Sequence, residues 1–413
     1  MSYFSQVSFD DSPSLDAFSR LRISNAETIF AVQEQYNKAI IQMESGNTGT
    51  GVLPSYDSNT RMTTLSGTAG SGLSFMQSYQ YSPYQPGKSI LVAMTGCMRS
   101  GVAGWVLDYG YGDSLNGIFY RQNGASGLQV VRRTSTSGSM VEEIVDQVNW
   151  NIDTMIAGNA RNPSVQNLDS TKNFILIIDL QYLGMGRVRI GFDIGGSIYY
   201  VHQFTHANIL TVPYMQSATL PVSITLTGTS TASPKSADFK CATVECEGGF
   251  LRELGYNFST PEGTVTAASG ARTQILSLRP KTTYNSIINR SLFILNDANI
   301  IVTGTNPVFW ELVIGATFSA DPTYADVNTT YSACEYGTGG TFSALTSGLV
   351  ISSGYIQAGV QTKDSVTQNI AMHYPISLNR AGAVRAMGTL TLLVTGVGGT
   401  SATRATMNYS ELR

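Results

Sequence analysis

The sequence predicts an all-β fold: two β-sandwich, jelly-roll-like domains preceded by an N-terminal arm. Three observations predict it. Apolar residues recur with period two along most of the 413 residues, in short runs rich in β-branched and aromatic side chains. Gly, Asn, Ser and Pro punctuate these runs at a spacing of about 8 to 12 residues, the rhythm of sandwiches. No long stretch carries the 3.6-residue periodicity of an amphipathic helix. At about 150 residues per domain, the length accommodates two or three cores.

The arm spans residues 1–42. Within it, Ser12 followed by Pro13 is a capping signal for a short helix through Phe18, and Arg20 to Ser24 reads as extended with both arginines on one side. Such an arm either docks on a neighbouring subunit or completes its own sandwich as an edge strand. The Ser/Thr/Gly-rich segment from Gly46 to Gly72 reads as a linker or an ordered loop. The first sandwich is expected over 43–255, with strands at Ser89 to Cys97, Gly104 to Tyr109, Gly117 to Arg121, Leu128 to Thr134, Lys172 to Tyr182, Ser223 to Thr227 and Asp238 to Glu247. Its clearest element is the hairpin from Arg187 to Phe204. Val188, Ile190, Phe192 and Ile194 alternate with Arg187, Arg189 and Asp193, and Gly195-Gly196 supplies the two positive φ values of a tight primed turn. Around Tyr256 to Arg272 the composition shifts to small polar residues, which sets a boundary. The second sandwich, 256–413, follows with strands at Thr273 to Arg279, Ser291 to Leu295, Ile300 to Val302, Val308 to Ile314, Val350 to Tyr355, Met387 to Val394 and Thr403 to Tyr409.

Composition narrows the function. Only 13% of residues are charged, the formal net charge is -3, and Ser, Thr and Gly together make up about 31% of the chain. A nucleic-acid backbone or an anionic membrane finds little to grip on such a neutral, hydroxyl-rich surface. The start of the chain has neither the basic nor the apolar region of a signal peptide, and the most apolar run, Phe174 to Ile178, is far shorter than the twenty or so residues of a membrane helix. The expected setting is therefore a cytoplasm, where the sequons at Asn257, Asn289 and Asn328 carry no weight. Cys97, Cys241, Cys246 and Cys334 are too few and too scattered for a disulfide framework or a zinc knuckle and are expected as free thiols.

Catalytic signatures are sparse, and no cofactor or metal is expected. His202 and His206 are four apart, but Gln203 replaces the glutamate of a zinc protease, and on a strand four positions span about 13 Å, too far for one ion. Pro86 to Ser89 resembles the end of a P-loop, yet Ser82 stands where the first glycine belongs and an apolar strand follows. Gly184 and Gly186 lack the third glycine of a dinucleotide fingerprint. No Gly-x-Ser-x-Gly elbow is present. Glycoside hydrolysis would need two facing carboxylates, for which Glu142, Asp179, Asp193 and Glu311 are the candidates; solvated or hairpin roles are the commoner fate of such residues. Tyrosines cluster at Tyr79, Tyr81 and Tyr84 and at Tyr109 and Tyr111, where they suit a protein interface, a sandwich core or a sugar-stacking platform. With Phe18, Arg20, Leu21, Arg22 and Ile23 of the arm, they are the candidate contact residues.

Four blocks carry a family resemblance: Leu15 to Phe30; Asn116 to Arg121 with Leu128 to Arg133; Gly184 to Asn208; and Leu278 to Lys281 through Asn306 to Val313. In this order they resemble a group of virion structural proteins of tailed bacteriophages. The resemblance implies a non-enzymatic particle component, on the capsid exterior, in the tail or at a fibre base, that contacts other virion proteins. A closed homo-oligomer, a trimer or a ring, would hide the strand edges two sandwiches leave open. The alternative is a carbohydrate-binding protein of the particle that touches a host surface glycan.

Overall fold

The computed structural model describes residues 15–16, 26–124, 126–231, 233–251, 255–346, 348–359, 361–364 and 374–413. The chain is all-β; regular helix among these residues is confined to the 3-10 turns Gln147–Asn149 and Ala386–Gly388. It divides into two compact units, the first comprising Met1–Ser78 and Tyr84–Phe250, the second Tyr79–Pro83 and Leu251–Arg413.

The first unit is one large antiparallel sheet that curls over on itself. Its strands are Glu27–Gln33 (β1), Met43–Asp57 (β2), Met62–Ser78 (β3), Ser89–Cys97 (β4), Trp105–Gly112 (β5), Gly117–Asn123 (β6), Gly127–Thr134 (β7), Val141–Asp146 (β8), Asn173–Leu180 (β9), Val188–Ile194 (β10), Ser197–Phe204 (β11), Val222–Thr231 (β12) and Lys235–Glu247 (β13). Their order is β11-β10-β9-β4-β13-β3-β12-β5-β6-β7-β8, with β1 added to β13 and β2 to β3. Register puts Met94, Leu176 and Phe192 in one inward row and Tyr109 and Tyr120 in another. The two rows meet across the interior, where the Phe174 ring packs edge-on against Tyr109 and Tyr120 with centroids 5.1 and 5.5 Å apart. The Tyr109 hydroxyl, from β5, donates to the Asp238 carbonyl of β13 at 2.7 Å. Burial of these alternating faces drives the curl.

Two expectations need correction here. The segment from Gly46 to Gly72 is not a linker or loop: it lies within the long β2–β3 hairpin. Two of its glycines, Gly46 and Gly67, make room for the Phe75 and Trp105 rings, which hid the strand pattern. A Cβ at Gly67 would come within 2.1 Å of the Trp105 ring, and Gly228 on β12 clears the same indole. Part of the arm is also sheet. Residues 27–33 form β1, the edge-strand reading, and the bulge between Thr28 and Phe30 lets Ile29, Phe30 and Val32 all be buried. The proposed short helix through Phe18, apart from Leu15 and Asp16, and the extended Arg20 to Ser24 lie outside the described residues.

The second unit has two main sheets. In one, Ser401–Leu412 pairs with Leu292–Val302, Tyr256–Ser259 and Gly263–Ala267, and Leu292–Val302 pairs with Gln361–Asp364. The other runs in the order Thr323–Asp326, Cys334–Thr338, Thr273–Pro280, Leu390–Gly396, Val308–Ile314 and Leu349–Ile356. Phe293, Ile300 and Tyr409 from the first meet Leu278, Trp310 and Leu392 from the second in one core. The two strands expected at Ser291 to Leu295 and Ile300 to Val302 are a single strand, interrupted at Asn296 by a bulge against Ser401–Leu412 that breaks the alternation.

Candidate functional site

A cleft of about 800 Å³ opens in the first unit beside the β10–β11 hairpin, lined by the last residues of β4 and β10, the first of β9 and the middle of β13. Tyr120, Phe174 and Phe192 form its aromatic floor. The Tyr120 ring stands edge-on to Phe192 at 5.0 Å and to Phe174 at 5.5 Å. Its hydroxyl is buried and has no hydrogen-bond partner among the described residues, and burial pushes its pKa well above the ordinary phenol value. Phe174 is the member of this cluster closest to solvent, at 8% exposure.

One wall is the long connection between β8 and β9, which after the 3-10 turn Gln147–Asn149 lacks regular structure and is held by side chains instead. Asp153 accepts from the amides of Met155 at 2.8 Å and Ser164 at 3.1 Å. Asn162 donates to the carbonyls of Ile156 at 3.0 Å and Gln166 at 2.8 Å. The Trp150 ring is fully buried and its indole N–H donates to Val145. Between these anchors sits Val165, 85% exposed at φ 61, an unfavourable backbone for a β-branched residue. The wall presents Gln166, Asn167, Asp169, Lys172 and Asn173 to the cleft. The Thr171 hydroxyl and amide, at 2.7 and 2.9 Å, together with the Lys172 charge, hold the Asp169 carboxyl below its usual range.

The opposite wall is the β10–β11 turn, where Gly195 and Gly196 have φ of 65 and 85 as the sequence predicts, and Asp193 accepts from the Gly196 amide at 2.9 Å. Thr95, Lys240 and Cys241 complete the rim. Lys240 occupies a bulge in β13, and its ammonium donates to the carbonyls of Glu34 and Arg61. Cys241 is half-buried, whereas Cys97, Cys246 and Cys334 are buried; all four are free.

Of the candidates named from sequence, Asp193 lines the cleft, whereas the contact residues lie elsewhere. Tyr109 and Tyr111 are fully buried, and Tyr111 donates to the Ala218 carbonyl at 3.0 Å, so these two belong to the core. Tyr81 is buried beneath the Arg290 guanidinium, and Arg385 stacks on Tyr79 at 3.7 Å. Tyr84 packs edge-on against Tyr182 at 5.2 Å and accepts from the Leu183 amide. Phe18, Arg20, Leu21, Arg22 and Ile23 fall outside the described residues. The sequence reading did not unite the floor aromatics because they come from three different strands; the signal was their shared inward parity.

Nor do the carboxylates offered for hydrolysis converge. Asp179 is buried against Arg189 and the Tyr200 hydroxyl, Glu142 is held by Arg121 and Arg133, and Glu311 pairs with Arg272 in the second unit. His202 accepts from the Asn151 amide, and burial pushes it down to about 4. His206 stacks on Tyr214 at 4.0 Å and is likewise pushed down by burial. Among the described residues no cluster of His, Cys, Asp and Glu has the makings of a metal site.

No protein-family model and no curated protein matches the chain. Among solved structures, it is similar to a glycosyl hydrolase family protein from Mycobacterium fortuitum, with a TM-score of 0.34 at 11% identity over 53% of this chain and 99% of that one. It is also similar to peanut lectin, with a TM-score of 0.32 at 9% identity over 54% and 98% of the respective chains. A legume lectin-like domain from Entamoeba histolytica gives 0.31 at 9%, over 54% and 98%. At these identities the likeness concerns the fold alone.

Proposed function

We propose that the chain is a non-enzymatic component of a tailed-phage particle whose first unit binds a glycan in the cleft. The observation that carries the binding reading is the cleft's make-up: aromatic rings below, and amides, a hydroxyl, carboxylates and ammonium groups around the rim. Saccharides present the matching surface, C–H patches flanked by hydroxyls that both donate and accept. Binding without catalysis is supported by the two cleft carboxylates, since Asp169 and Asp193 each fasten their own turn. A glycan microarray probed with the intact protein, followed by calorimetry, tests it. The double variant Lys172→Ala/Asn173→Ala strips polar groups from the rim without touching the core and is expected to abolish binding at an unchanged melting temperature. An array without hits would overturn the reading.

The particle assignment draws on the four sequence blocks that resemble virion structural proteins, and one surface feature favours contacts with other virion proteins or with further copies. The edge strand β8 exposes Val141 and Ile144, flanked by exposed Met140 and Val148. An open apolar edge is ordinarily covered in an assembly. Val141→Lys/Ile144→Lys is expected to leave the fold intact and to block incorporation into particles or a trimer or ring; unchanged incorporation would refute this role.

A further inference from the structure

We infer that the floor of the cleft receives an acetamido group, so that the ligands preferred by the first unit are N-acetylated hexosamines; this rests on the glycan-binding reading above. The chemistry begins at Tyr120. A buried hydroxyl without a partner is a standing cost, and in the free protein nothing among the described residues offsets it. A ligand acceptor that reaches it gains a hydrogen bond the protein does not otherwise make.

The surroundings say what kind of group that acceptor belongs to. Against the Tyr120 ring stand the rings of Phe174 and Phe192, so a group that reaches the hydroxyl must bring apolar surface along with its acceptor. A sugar hydroxyl brings an acceptor and a donor, and the donor would be buried against phenyl rings. A carboxylate would be desolvated with one neutral donor for company, at greater cost. An acetamido group brings a carbonyl for the Tyr120 hydroxyl and a methyl for the rings. Its N–H lies on the sugar side, toward the amides and carboxylates of the rim. Access requires a rotation of the Phe174 side chain, the member of the cluster nearest solvent.

Saturation-transfer NMR and titration calorimetry on the full chain test this, with the methyl glycosides of N-acetylglucosamine and N-acetylgalactosamine set against those of glucose and galactose. The acetyl methyl protons are expected to take the strongest saturation, and an N-acetylated glycoside to bind at least about tenfold tighter than its plain counterpart. Tyr120→Phe is expected to cost about tenfold, roughly 1.4 kcal/mol, in affinity for the N-acetylated sugar and nothing for the plain one. Because it deletes an unsatisfied group, the same change should leave the melting temperature equal or higher, an opposition of binding and stability that a packing role would not produce. If the plain glycosides bind as tightly and Tyr120→Phe changes neither, the acetamido inference falls and glycan binding stands. The same holds if none of the four binds while other glycans do. If no glycan binds at all, both fall.

Discussion

Replacing Arg121 with Met is the sharpest test of how the first unit is held together. Arg121 and Arg133 alternate with Asp108 and Glu142 on the outward side of β5 to β8, a register the sheet imposes by pairing Asp108 with Arg121 and Arg133 with Glu142. Arg121 reaches Asp108 at 2.6 and 2.9 Å and Glu142 at 2.7 and 2.9 Å, and both it and Asp108 are buried. Met removes these four charge-assisted bonds and leaves two carboxylates to share Arg133. Breaking a buried pair from one side costs about 3–5 kcal/mol, a large share of the 5–15 kcal/mol typical of a folded domain. With a urea dependence of about 3 kcal/mol per molar, the midpoint should fall by roughly 1–1.7 M. Trp105 and Trp150 report on the first unit once Trp310 is changed to Phe. The companion Arg121→Met/Asp108→Leu removes a cation and an anion together and should recover at least half the loss. Acid should act in the same direction. Burial works to raise the Glu142 pKa, but Arg121 and Arg133 outweigh it and hold it below the ordinary value. Its stabilisation is therefore present at neutral pH and lost as pH falls through the lowered value, a loss that Arg121→Met should shrink. A midpoint shift under 0.2 M, or a companion variant no better than the single one, would refute this account.

Other consequences are cheaper to check. Gly67→Ala drives a methyl into the Trp105 ring and should cost about 1–3 kcal/mol, visible as a lower melting temperature and a changed tryptophan emission. His202, pushed by burial from 6.5 to about 4, makes the first unit lose stability as pH drops from 6.5 toward 4. That loss is on the order of 2 kcal/mol after allowance for partial solvation, and His202→Gln should flatten the profile. A thiol reagent applied to the native protein should modify Cys241 first, because the other three cysteines are buried, and the label should compete with glycan for the cleft. Asp153→Ala frees the amides of Met155 and Ser164 and should weaken glycan binding several-fold, with far-ultraviolet dichroism unchanged.

Sheet membership was legible wherever one face of a strand is apolar and the turn chemistry is explicit, as in the β10–β11 hairpin with its two positive-φ glycines. It failed where glycine replaces the apolar partner: β2 and β3 read as loop because Gly67 is a space for Trp105 and Gly46 a space for Phe75, and a space leaves no hydrophobic mark. Bulges hid the rest, since an extra residue at Asn296 resets the parity on which the pattern depends. The tyrosine clusters show what one-dimensional reading loses. Tyr109 and Tyr111 share inward parity with Leu107, which placed them in the core all along, whereas abundance beside small polar residues pointed to the surface. The cleft was not legible, because its floor unites single residues of β6, β9 and β10 and its wall depends on contacts such as Asp153 to Ser164.

Those wall contacts bear on how tightly such a site can bind. A loop as long as the β8–β9 connection ordinarily loses much conformational freedom when a ligand orders it, and that loss subtracts from affinity. Here Asp153, Asn162 and the Trp150 indole anchor the loop without a ligand, which reduces the ordering left for binding to impose. The strained φ of Val165 is consistent with this, because a β-branched residue stays in the left-handed region only where its surroundings over-determine the backbone. With the wall anchored, Phe174, the most exposed of the three floor aromatics, is the side chain whose rotation would open the floor. On the glycan-binding proposal, selectivity should then follow from what can turn the Phe174 ring and satisfy the Tyr120 hydroxyl more than from the polar rim.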